Sequence, residues 1–279
     1  MPELPEVETV CRGLSAAIKG KTITKAVLRR PDMRFPFPEA LQPSLQNARV
    51  VSVLRRAKYG LIALSNNKTA IFHLGMSGTM RIDADAVQAE AQLGRHDHVF
   101  LIFEDGTSVT FNDTRRFGFM DLAESERLHK NRFLKDLGVE PLSNHFHADY
   151  LNQALAGKVT PMKAALLDQR IVAGLGNIYV CEALFMAGIS PRRQARTVPG
   201  KRAERLVPAI KTVLEKSIAA GGSTLRDYAH VNGELGYFQH EFNAYGSAGE
   251  ACSKPCCSGV IKRIVQSGRS TFYCGKCQH

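Results

Sequence analysis

The sequence contains no tryptophan and no apolar run long enough to cross a membrane, which requires about 20 consecutive apolar residues. It also lacks internal repeats and low-complexity segments, so collagen-like, coiled-coil and disordered classes are excluded. The first residues, Met-Pro-Glu-Leu-Pro-Glu, have neither the basic nor the apolar segment of a secretory signal. We therefore expect a cytoplasmic protein that has no membrane partner.

Positive charge is in excess over the whole chain. The 279 residues include 37 Lys and Arg against 26 Asp and Glu, which leaves a net charge of +11. Hydrophobic residues make up 44%, enough for one or two cores, and the length is typical of about two domains. The charge favours a polyanionic partner, but alone it does not separate nucleic-acid binders from other basic proteins.

The seven cysteines are concentrated at one end of the chain, where five of them follow residue 250. An odd number in a terminal cluster is not typical of a disulfide framework. Four residues separate Cys252 from Cys257, sixteen separate Cys257 from Cys274, and two separate Cys274 from Cys277. This spacing is close to that of a zinc ribbon. Because a tail of about 40 residues has little core, we expect one structural zinc ion to hold it.

Cys256 competes with Cys257 for the role of zinc ligand. We favour Cys257 because it keeps the sixteen-residue spacing and precedes a Ser-Gly turn. The predicted ligand set is Cys252, Cys257, Cys274 and Cys277. A redox pair or surface thiols are the alternative. Cys11 and Cys181 lie on apolar helical faces and are predicted to be core residues.

The hydrophobic pattern changes from strands to helices along the chain. Apolar residues at helical spacing predict a first helix over 5–19. Short apolar runs between residues 21 and 122, with turn signals such as Asp105-Gly106, predict a β-sandwich or barrel. Short helical segments follow, and a longer helix is predicted from about Arg202 to Ala219, where Pro208 is expected to kink it or to mark a later start.

Motifs that occur in order along the whole chain resemble those of a known family. They are the Pro-Glu-Leu-Pro-Glu-Val-Glu-Thr start, Arg55–Tyr59, His73–Gly78, His96–His98, Arg115–Gly118, Gly174–Tyr179 and Arg269–Cys274. In these motifs the sequence is similar to the bacterial formamidopyrimidine-DNA glycosylases. Relatives that resemble endonuclease VIII usually carry glycine at position 4, so Leu4 favours the branch for oxidised purines.

The resemblance implies an α+β protein with two lobes. The N-terminal lobe would be a β-sandwich with the leading helix, and the C-terminal lobe would combine a helix–two-turns–helix module with the zinc ribbon. The expected boundaries are 1–135 for the catalytic sandwich domain, 136–150 for a connector, 151–237 for the helical domain and 238–279 for the ribbon. Residues 226–238 match the family's loop over the extruded base.

The family resemblance implies that chemistry begins at the N-terminus. Once Met1 is removed, Pro2 presents a secondary amine whose pKa is about 8. A useful fraction of this amine is therefore neutral and can attack C1′ of deoxyribose. Glu3 would protonate the sugar ring oxygen. Glu6 is expected to support these two residues. Judged from the residues alone, Pro2 and Glu3 would be an ordinary N-terminal tail.

Two further catalytic residues are basic. The resemblance makes Lys58 a proton donor in β-elimination that also contacts phosphate. It places Arg269 on the phosphates beside the lesion, where a planar fork can hold two oxygens, and implicates it in δ-elimination. Lys163 is a second basic candidate near the site. Without the resemblance, Lys58 and Arg269 would be read as solvated turn residues.

A larger group is expected to handle DNA. The implied DNA-binding residues are His73, Met76, His96, Arg115, Phe117, Lys158 and Asn177. The family fills the gap left by the extruded base with Met76, Arg115 and Phe117. Asn177 begins a helix, where free N–H groups suit a phosphate, although a simple N-cap is the alternative.

Several of these residues have ordinary structural interpretations. Met76 and Phe117 taken alone would be core residues, and Arg115 would be a surface arginine. The sequence His96-Asp97-His98 could be a metal pair, but no third ligand stands nearby. The motif before Arg115 is Asn-Asp-Thr, where Thr-Asp-Pro is commoner in the family, and this difference bears on the shape of the turn.

The implied activity is that of a bifunctional DNA glycosylase and abasic-site lyase. It would excise 8-oxoguanine and formamidopyrimidines from damaged double-stranded DNA, then perform β,δ-elimination during base excision repair. We expect a bacterial, nucleoid-associated monomer whose only cofactor is the structural zinc. A glycosylase for oxidised pyrimidines and a non-enzymatic zinc-ribbon DNA binder are the alternatives.

Overall fold

The computed structural model describes residues 2–222 and 242–279. The loop predicted at 226–238 lies outside the described residues. The described chain divides into two compact units: residues 2–135 with 220–222, and residues 136–219 with 242–279. In the described residues, no helix combines the length and the apolar character needed to cross a membrane.

The first unit is built mainly from strands. Its helices are α1 (Leu4–Ile18), α2 (Leu41–Leu45) and α3 (Ala86–Ala91). Its strands are β1 (Ile23–Leu28), β2 (Val50–Arg56), β3 (Tyr59–Leu64), β4 (Lys68–His73), β5 (Thr79–Asp83), β6 (Asp97–Phe103), β7 (Ser108–Asn112) and β8 (Phe119–Glu124). A 3₁₀ helix covers Ser125–Lys130.

These strands form two four-stranded antiparallel sheets that enclose one core. The strand orders are β1-β6-β7-β5 and β2-β3-β4-β8. Apolar side chains from both sheets pack in one cluster with the buried face of α1, including Leu14 of the helix, Phe111 of one sheet and Phe72 of the other. Burial of these side chains is the main favourable term in folding this unit. The predicted β-sandwich with a leading helix is confirmed.

The second unit is helical and ends in a β-hairpin. Its helices are α4 (Ala148–Leu155), α5 (Met162–Leu167), α6 (Asn177–Ala187) and α7 (Lys201–Ala219), and its strands are β9 (Ile261–Gln266) and β10 (Arg269–Cys274). Helix α6 is buried on nearly every side and ends at Gly188, whose φ of 67° is left-handed. Its residue Phe185 packs with Phe272 and Cys274 of the hairpin. This packing joins the ribbon to the helices.

Helix α7 continues through Pro208 without interruption. Proline there cannot donate to the carbonyl of Glu204, but both residues are exposed, so water can satisfy that carbonyl. The sequence pattern also missed β5 and α3. Strand β5 has only two apolar side chains, and α3 is a short helix capped by Asp85, whose side chain accepts from two backbone N–H groups.

Candidate functional site

The N-terminal segment is held by a capping box on α1. Glu3 is the N-cap and Glu6 is the third helical residue, and the Glu3 N–H donates to Glu6 Oε2 at 2.8 Å. Each of the two glutamates is only 2% exposed, and Pro2 is buried beside them. Gly222 packs against Glu6, since an added Cβ would lie 3.3 Å from its Oε1. The capping contacts therefore hold Pro2 and both carboxylates at the positive end of a helix.

The same helix is tied to the turn that carries Lys58. Glu8 of α1 accepts from Arg55 Nε at 2.7 Å, and Arg55 Nη1 donates to the Ala57 carbonyl at 3.0 Å. Ala57 has a left-handed φ of 53°, a tight conformation that this bond helps to hold. Burial acts to raise the pKa of Glu8, but the contacts with Arg55 and Arg12 outweigh it and lower the pKa. Sequence reasoning missed this link, because nothing in the spacing pairs residues 8 and 55.

His73 at the end of β4 is neutral at physiological pH. Burial lowers its pKa to about 4, and the positive charges of Lys58 and Arg34 add to the effect. Its ring stacks on Phe119, with centroids 5.5 Å apart, and Nδ1 accepts the Gly75 N–H at 2.9 Å. The imidazole proton is therefore on Nε2, which is available as a donor to a phosphate oxygen. Arg34 is a basic neighbour that the sequence did not single out.

The loop after β4 and the loop after β7 are joined by Asp113. This carboxylate is fully buried: Oδ1 accepts from Ser77 Oγ at 2.7 Å and from the Arg115 N–H at 3.2 Å, and Oδ2 accepts from the Gly118 N–H at 2.7 Å. Gly75 has a φ of 63°, and a Cβ there would lie 2.3 Å from Gly118 N. The two loops thus require a carboxylate and a glycine at their contact.

Met76, Arg115 and Phe117 lie on these two loops. Met76 is half-buried, whereas Phe117 remains 41% exposed and is not a core residue. The Arg115 guanidinium lies 4.9 Å from the centre of the Phe117 ring, a cation–π contact. The residues before Arg115 are Asn-Asp-Thr, where the family more often has Thr-Asp-Pro. The aspartate of this triplet is Asp113, and it makes the contacts described above. The loops present an exposed aromatic ring and a guanidinium side by side.

His96, Asp97 and His98 do not converge on a metal. His98 is buried and its Nε2 donates to the Asp113 carbonyl at 2.8 Å. The Asp97 carboxylate accepts from the Gly94 N–H and from Asn112 Nδ2, each at 2.7 Å. His96 precedes β6 and is half-buried. Over residues 2–222 and 242–279, the only cluster of three or more potential metal ligands is the cysteine set.

In the second unit, two donors meet at the Ser270 carbonyl. Lys163 Nζ donates to this carbonyl at 2.9 Å and to Thr271 Oγ1 at 2.6 Å, and Asn177 Nδ2 donates to the same carbonyl at 3.0 Å. Lys163 is 1% exposed, so its ammonium is committed to the hairpin and is not an open cation. Arg269, one residue earlier, is exposed beyond the left-handed Ser267 and Gly268. The helices thus hold the strand next to Arg269.

Asn177 is the first residue of α6 and not its N-cap, which is Gly176. The simple N-cap interpretation is therefore wrong. Asn177 Oδ1 is buried without a hydrogen-bond partner in the described part of the chain. Lys158, which follows α4, is exposed beside Gly157, whose φ is 70°. The structure places the first turn of α6 and an exposed lysine in this unit.

The sulfur atoms of Cys252, Cys257, Cys274 and Cys277 lie within 4.8 Å of one another. Two of the pairs, Cys252–Cys277 and Cys257–Cys274, are 3.7 Å apart. A tetrahedron with Zn–S bonds of about 2.3 Å separates its sulfurs by about 3.8 Å, so the geometry fits zinc. Four thiolates leave no open position for water, and the zinc is structural.

Cys256 is exposed and has a left-handed φ of 61°, while Cys257 contributes to the cluster. Gly259 is needed there because an added Cβ would lie 2.5 Å from Cys274 Sγ. The predicted single structural zinc is confirmed. Cys11 and Cys181 are buried, as expected for core thiols.

Comparisons with known proteins agree with this architecture. The chain matches the formamidopyrimidine-DNA glycosylase N-terminal domain over residues 1–120, its helix–two-turns–helix domain over 137–229, and the zinc finger found in this glycosylase and isoleucyl-tRNA synthetase over 249–279. Such a combination defines a zinc-containing DNA glycosylase of the helix–two-turns–helix class. The chain belongs to the formamidopyrimidine-DNA glycosylase family.

Individual relatives match over the full length. The chain is 54% identical to the formamidopyrimidine-DNA glycosylase of Ruegeria sp. (strain TM1040) and 53% identical to that of Azorhizobium caulinodans, with 100% of each chain covered. The crystal structure of the Fpg protein from Thermus thermophilus aligns with a TM-score of 0.87 at 37% identity, covering 99% of this chain and 98% of that one. A Lactococcus lactis Fpg mutant in complex with DNA containing Fapy-dG aligns with a TM-score of 0.90 at 33% identity and complete coverage. The family identification, the enzyme class and the fold are thereby confirmed.

Proposed function

We propose that this chain excises oxidised purines, such as 8-oxoguanine and formamidopyrimidines, from damaged duplex DNA and then cleaves the abasic site by β,δ-elimination. The observation that carries the proposal is the buried N-terminal pair, Pro2 and Glu3, at the capped end of α1 in a chain that matches the family over its full length. The Lactococcus lactis relative bound to DNA containing Fapy-dG supports the purine assignment.

Pro2 is the proposed nucleophile once Met1 is removed. The neutral secondary amine attacks C1′ of the deoxyribose, the C1′–N bond to the damaged base breaks, and the base leaves with a proton. Glu3 protonates the ring oxygen, so the sugar opens to an iminium at C1′. The capping contact between the Glu3 N–H and Glu6 supports this assignment because it holds the nucleophile close to its acid.

Strand cleavage follows from the iminium. Loss of a C2′ proton expels the 3′ phosphate, and a second elimination expels the 5′ phosphate. Lys58 is proposed to serve proton transfer, and the bond from Arg55 to the Ala57 carbonyl supports its placement. Arg269 is proposed to hold the flanking phosphate, and the buried Lys163 is proposed to position it through Ser270.

The remaining residues are proposed to hold DNA. Met76, Arg115 and Phe117 would fill the void left by the extruded base, and the exposure of Phe117 beside Arg115 supports this role. The proposed backbone contacts are His73, His96, Lys158 and Asn177. For His73 the contact would be an uncharged N–H donor.

We propose that the enzyme acts as a monomer at the bacterial nucleoid, with the domain boundaries expected from the sequence.

Borohydride trapping tests the nucleophile. The wild-type protein should form a covalent adduct with 8-oxoguanine DNA after borohydride reduction, and Pro2→Gly should not, because the secondary amine is lost. Pro5→Ala is the matched control: it removes a proline from the same helical turn and should retain the adduct. Mass spectrometry should show that Met1 is absent. A wild-type chain that forms no adduct would indicate a non-enzymatic DNA binder.

Competition between lesions tests the substrate. With 8-oxoguanine and thymine glycol in one duplex context, single-turnover excision of 8-oxoguanine should be faster. A clear preference for thymine glycol would assign the chain to oxidised pyrimidines, although the adduct at Pro2 would still form.

A further inference from the structure

A polar pocket lies where the hairpin of the zinc ribbon packs against the segment between α6 and α7. Its volume is about 690 Å³, and its lining includes Arg192, Arg193, Gln194, Thr197, Lys262 and Tyr273. The lining contains three permanent cations and, within the described residues, neither a carboxylate side chain nor an aliphatic one. A pocket of this composition suits an anion that is rich in oxygen atoms.

The guanidinium of Arg193 is poorly compensated. Nη1 donates to Thr197 Oγ1 at 3.3 Å, while Nε is buried without an acceptor in the described part of the chain. Burial and the neighbouring charge of Arg202 both lower the pKa of Arg193. A buried donor without a partner costs free energy, and so do two nearby like charges, so an anion in this pocket would relieve both costs.

The surrounding segment adds to the positive charge. Residues 192–205 contain six basic side chains and a single acidic one, Glu204. In the portion of the chain that is described, none of these six forms an ion pair with a carboxylate. Lys262 enters from the opposite wall, because its ammonium lies close to Gly275, where an added Cβ would be 3.6 Å from Nζ. Cations therefore face the pocket from two separate elements.

The pocket is distinct from the proposed phosphate contact at Arg269. Lys262 pairs with Tyr273 near the base of the hairpin, whereas Arg269 begins β10 at the tip. Tyr273 lies four positions along the strand from Arg269, a distance of about 13 Å. An anion in this pocket would therefore be bound in addition to the phosphate that Arg269 is proposed to hold at the tip of the hairpin.

We propose that this pocket binds a phosphate group, and that in the DNA-bound enzyme it takes a backbone phosphate outside the lesion. The identification of DNA as the source rests on the proposed function. Phosphate is favoured over an acidic peptide because the walls offer guanidinium, ammonium, hydroxyl and amide donors and no aliphatic side chain to hold a peptide anchor.

Inorganic phosphate titrated into the full-length zinc-loaded protein tests the pocket. At constant ionic strength, NMR signals of the Thr197 and Gly275 amides should shift and saturate. Arg192→Ala combined with Lys262→Ala should weaken this binding about tenfold or more, since two charge-assisted contacts are lost. Lys19→Ala combined with Lys135→Ala removes the same charge from exposed positions in the other unit and should leave it unchanged. Absence of saturable shifts, or equal binding by all three proteins, would overturn the proposal.

Duplex length identifies the source of the phosphate. A duplex one helical turn longer at each end should bind more tightly than one that covers only the lesion, and the double variant should lose that gain. If the double variant loses binding of inorganic phosphate but still binds the longer duplex more tightly than the shorter one, the pocket does not hold a DNA phosphate. Its ligand is then a free phosphate compound. Borohydride trapping on the short duplex should be normal in every variant, so failure of the proposed catalysis would be seen separately.

Discussion

At the scale of single residues, Asp113 is the group that connects two loops of the first unit. Its carboxylate receives three donors from the two loops that carry Met76, Arg115 and Phe117. The position stands directly after β7, and nothing in the sequence pattern marks it as more than a turn residue. Its role depends on the approach of the β4–β5 loop, which only the folded sandwich provides.

Replacement of Asp113 by Asn should loosen both loops. An amide has one acceptor oxygen where the carboxylate has two, so at least one buried donor loses its partner and unfolding should become easier by about 1–3 kcal/mol. Single-turnover excision of 8-oxoguanine should slow by about tenfold, and trapping at a preformed abasic site should change less, because that nucleotide is easier to extrude.

The matched control for this change is Asp121→Asn. Asp121 is also buried, but it lies on β8, the edge strand of the other sheet, and in the described part of the chain its carboxylate accepts from Asn131 and not from either loop. Chemical denaturation and excision rates should be compared for both variants. If Asp121→Asn slows excision as much as Asp113→Asn does, the loops do not depend on Asp113 in particular.

His73 should make stability depend on pH. Its pKa is about 4 in the folded protein and about 6.5 in the unfolded chain, so between these values the unfolded state binds more protons. The stability from neutral His73 is therefore complete above about pH 6.5 and is lost as the pH falls towards 4. Denaturation across this range should show a steeper loss for wild type than for His73→Asn, which keeps an acceptor for the Gly75 N–H and does not titrate. Parallel curves would contradict the assignment.

At the scale of elements, the zinc ribbon depends on four cysteines whose spacing lets them bind one metal ion. The hairpin β9–β10 is only two strands, which is marginal on its own, and four sulfurs provide the missing constraint. Spacing alone identified the knuckles. The left-handed turn at Cys256 is what directs Cys257, and not its neighbour, into the cluster.

Replacement of Cys257 by Ser should release zinc and unfold the ribbon, because three thiolates bind the ion far more weakly than four. Cys256→Ser changes the adjacent exposed thiol and should leave one zinc per chain. Elemental analysis would measure the zinc content. Near-ultraviolet circular dichroism, to which Tyr273 contributes, would follow unfolding of the ribbon. The ligand set would be wrong if Cys256→Ser lost the metal and Cys257→Ser retained it.

Contacts with the hairpin bury Lys163, whereas lysine is usually exposed at the surface. The sequence predicts this lysine as a second basic candidate near the site, but its ammonium is buried against β10. Hydrophobic periodicity shows that α5 has a buried face, and it does not show that a lysine on that face meets a carbonyl of a strand more than a hundred residues away.

At the scale of the whole molecule, the net charge of +11 should appear in DNA binding. Because bound phosphates release counterions, the logarithm of the affinity should fall linearly with the logarithm of salt concentration. Lys158→Ala should weaken binding to all sequences and reduce the slope by about one, since this exposed lysine is a proposed phosphate contact. Lys19→Ala, at an exposed position after α1, is the control and should leave the slope unchanged. A flat salt response would contradict phosphate binding.

The sequence by itself determined the features that depend on neighbours in the chain or on spacing. These are the leading helix, most strands of the sandwich, the cysteine knuckles and the family motifs, because helical periodicity, strand alternation and ligand spacing are local properties. Tertiary structure decided the contacts between distant segments. The ion pair of Glu8 with Arg55, the bonds of Asp113 to two loops, the burial of Lys163 and the basic pocket at Arg193 all need elements that fold together from separate parts of the chain. Hydrogen bonds and charge pairs act over a few ångströms, so only the packing of the sheets and helices could determine which of these groups meet.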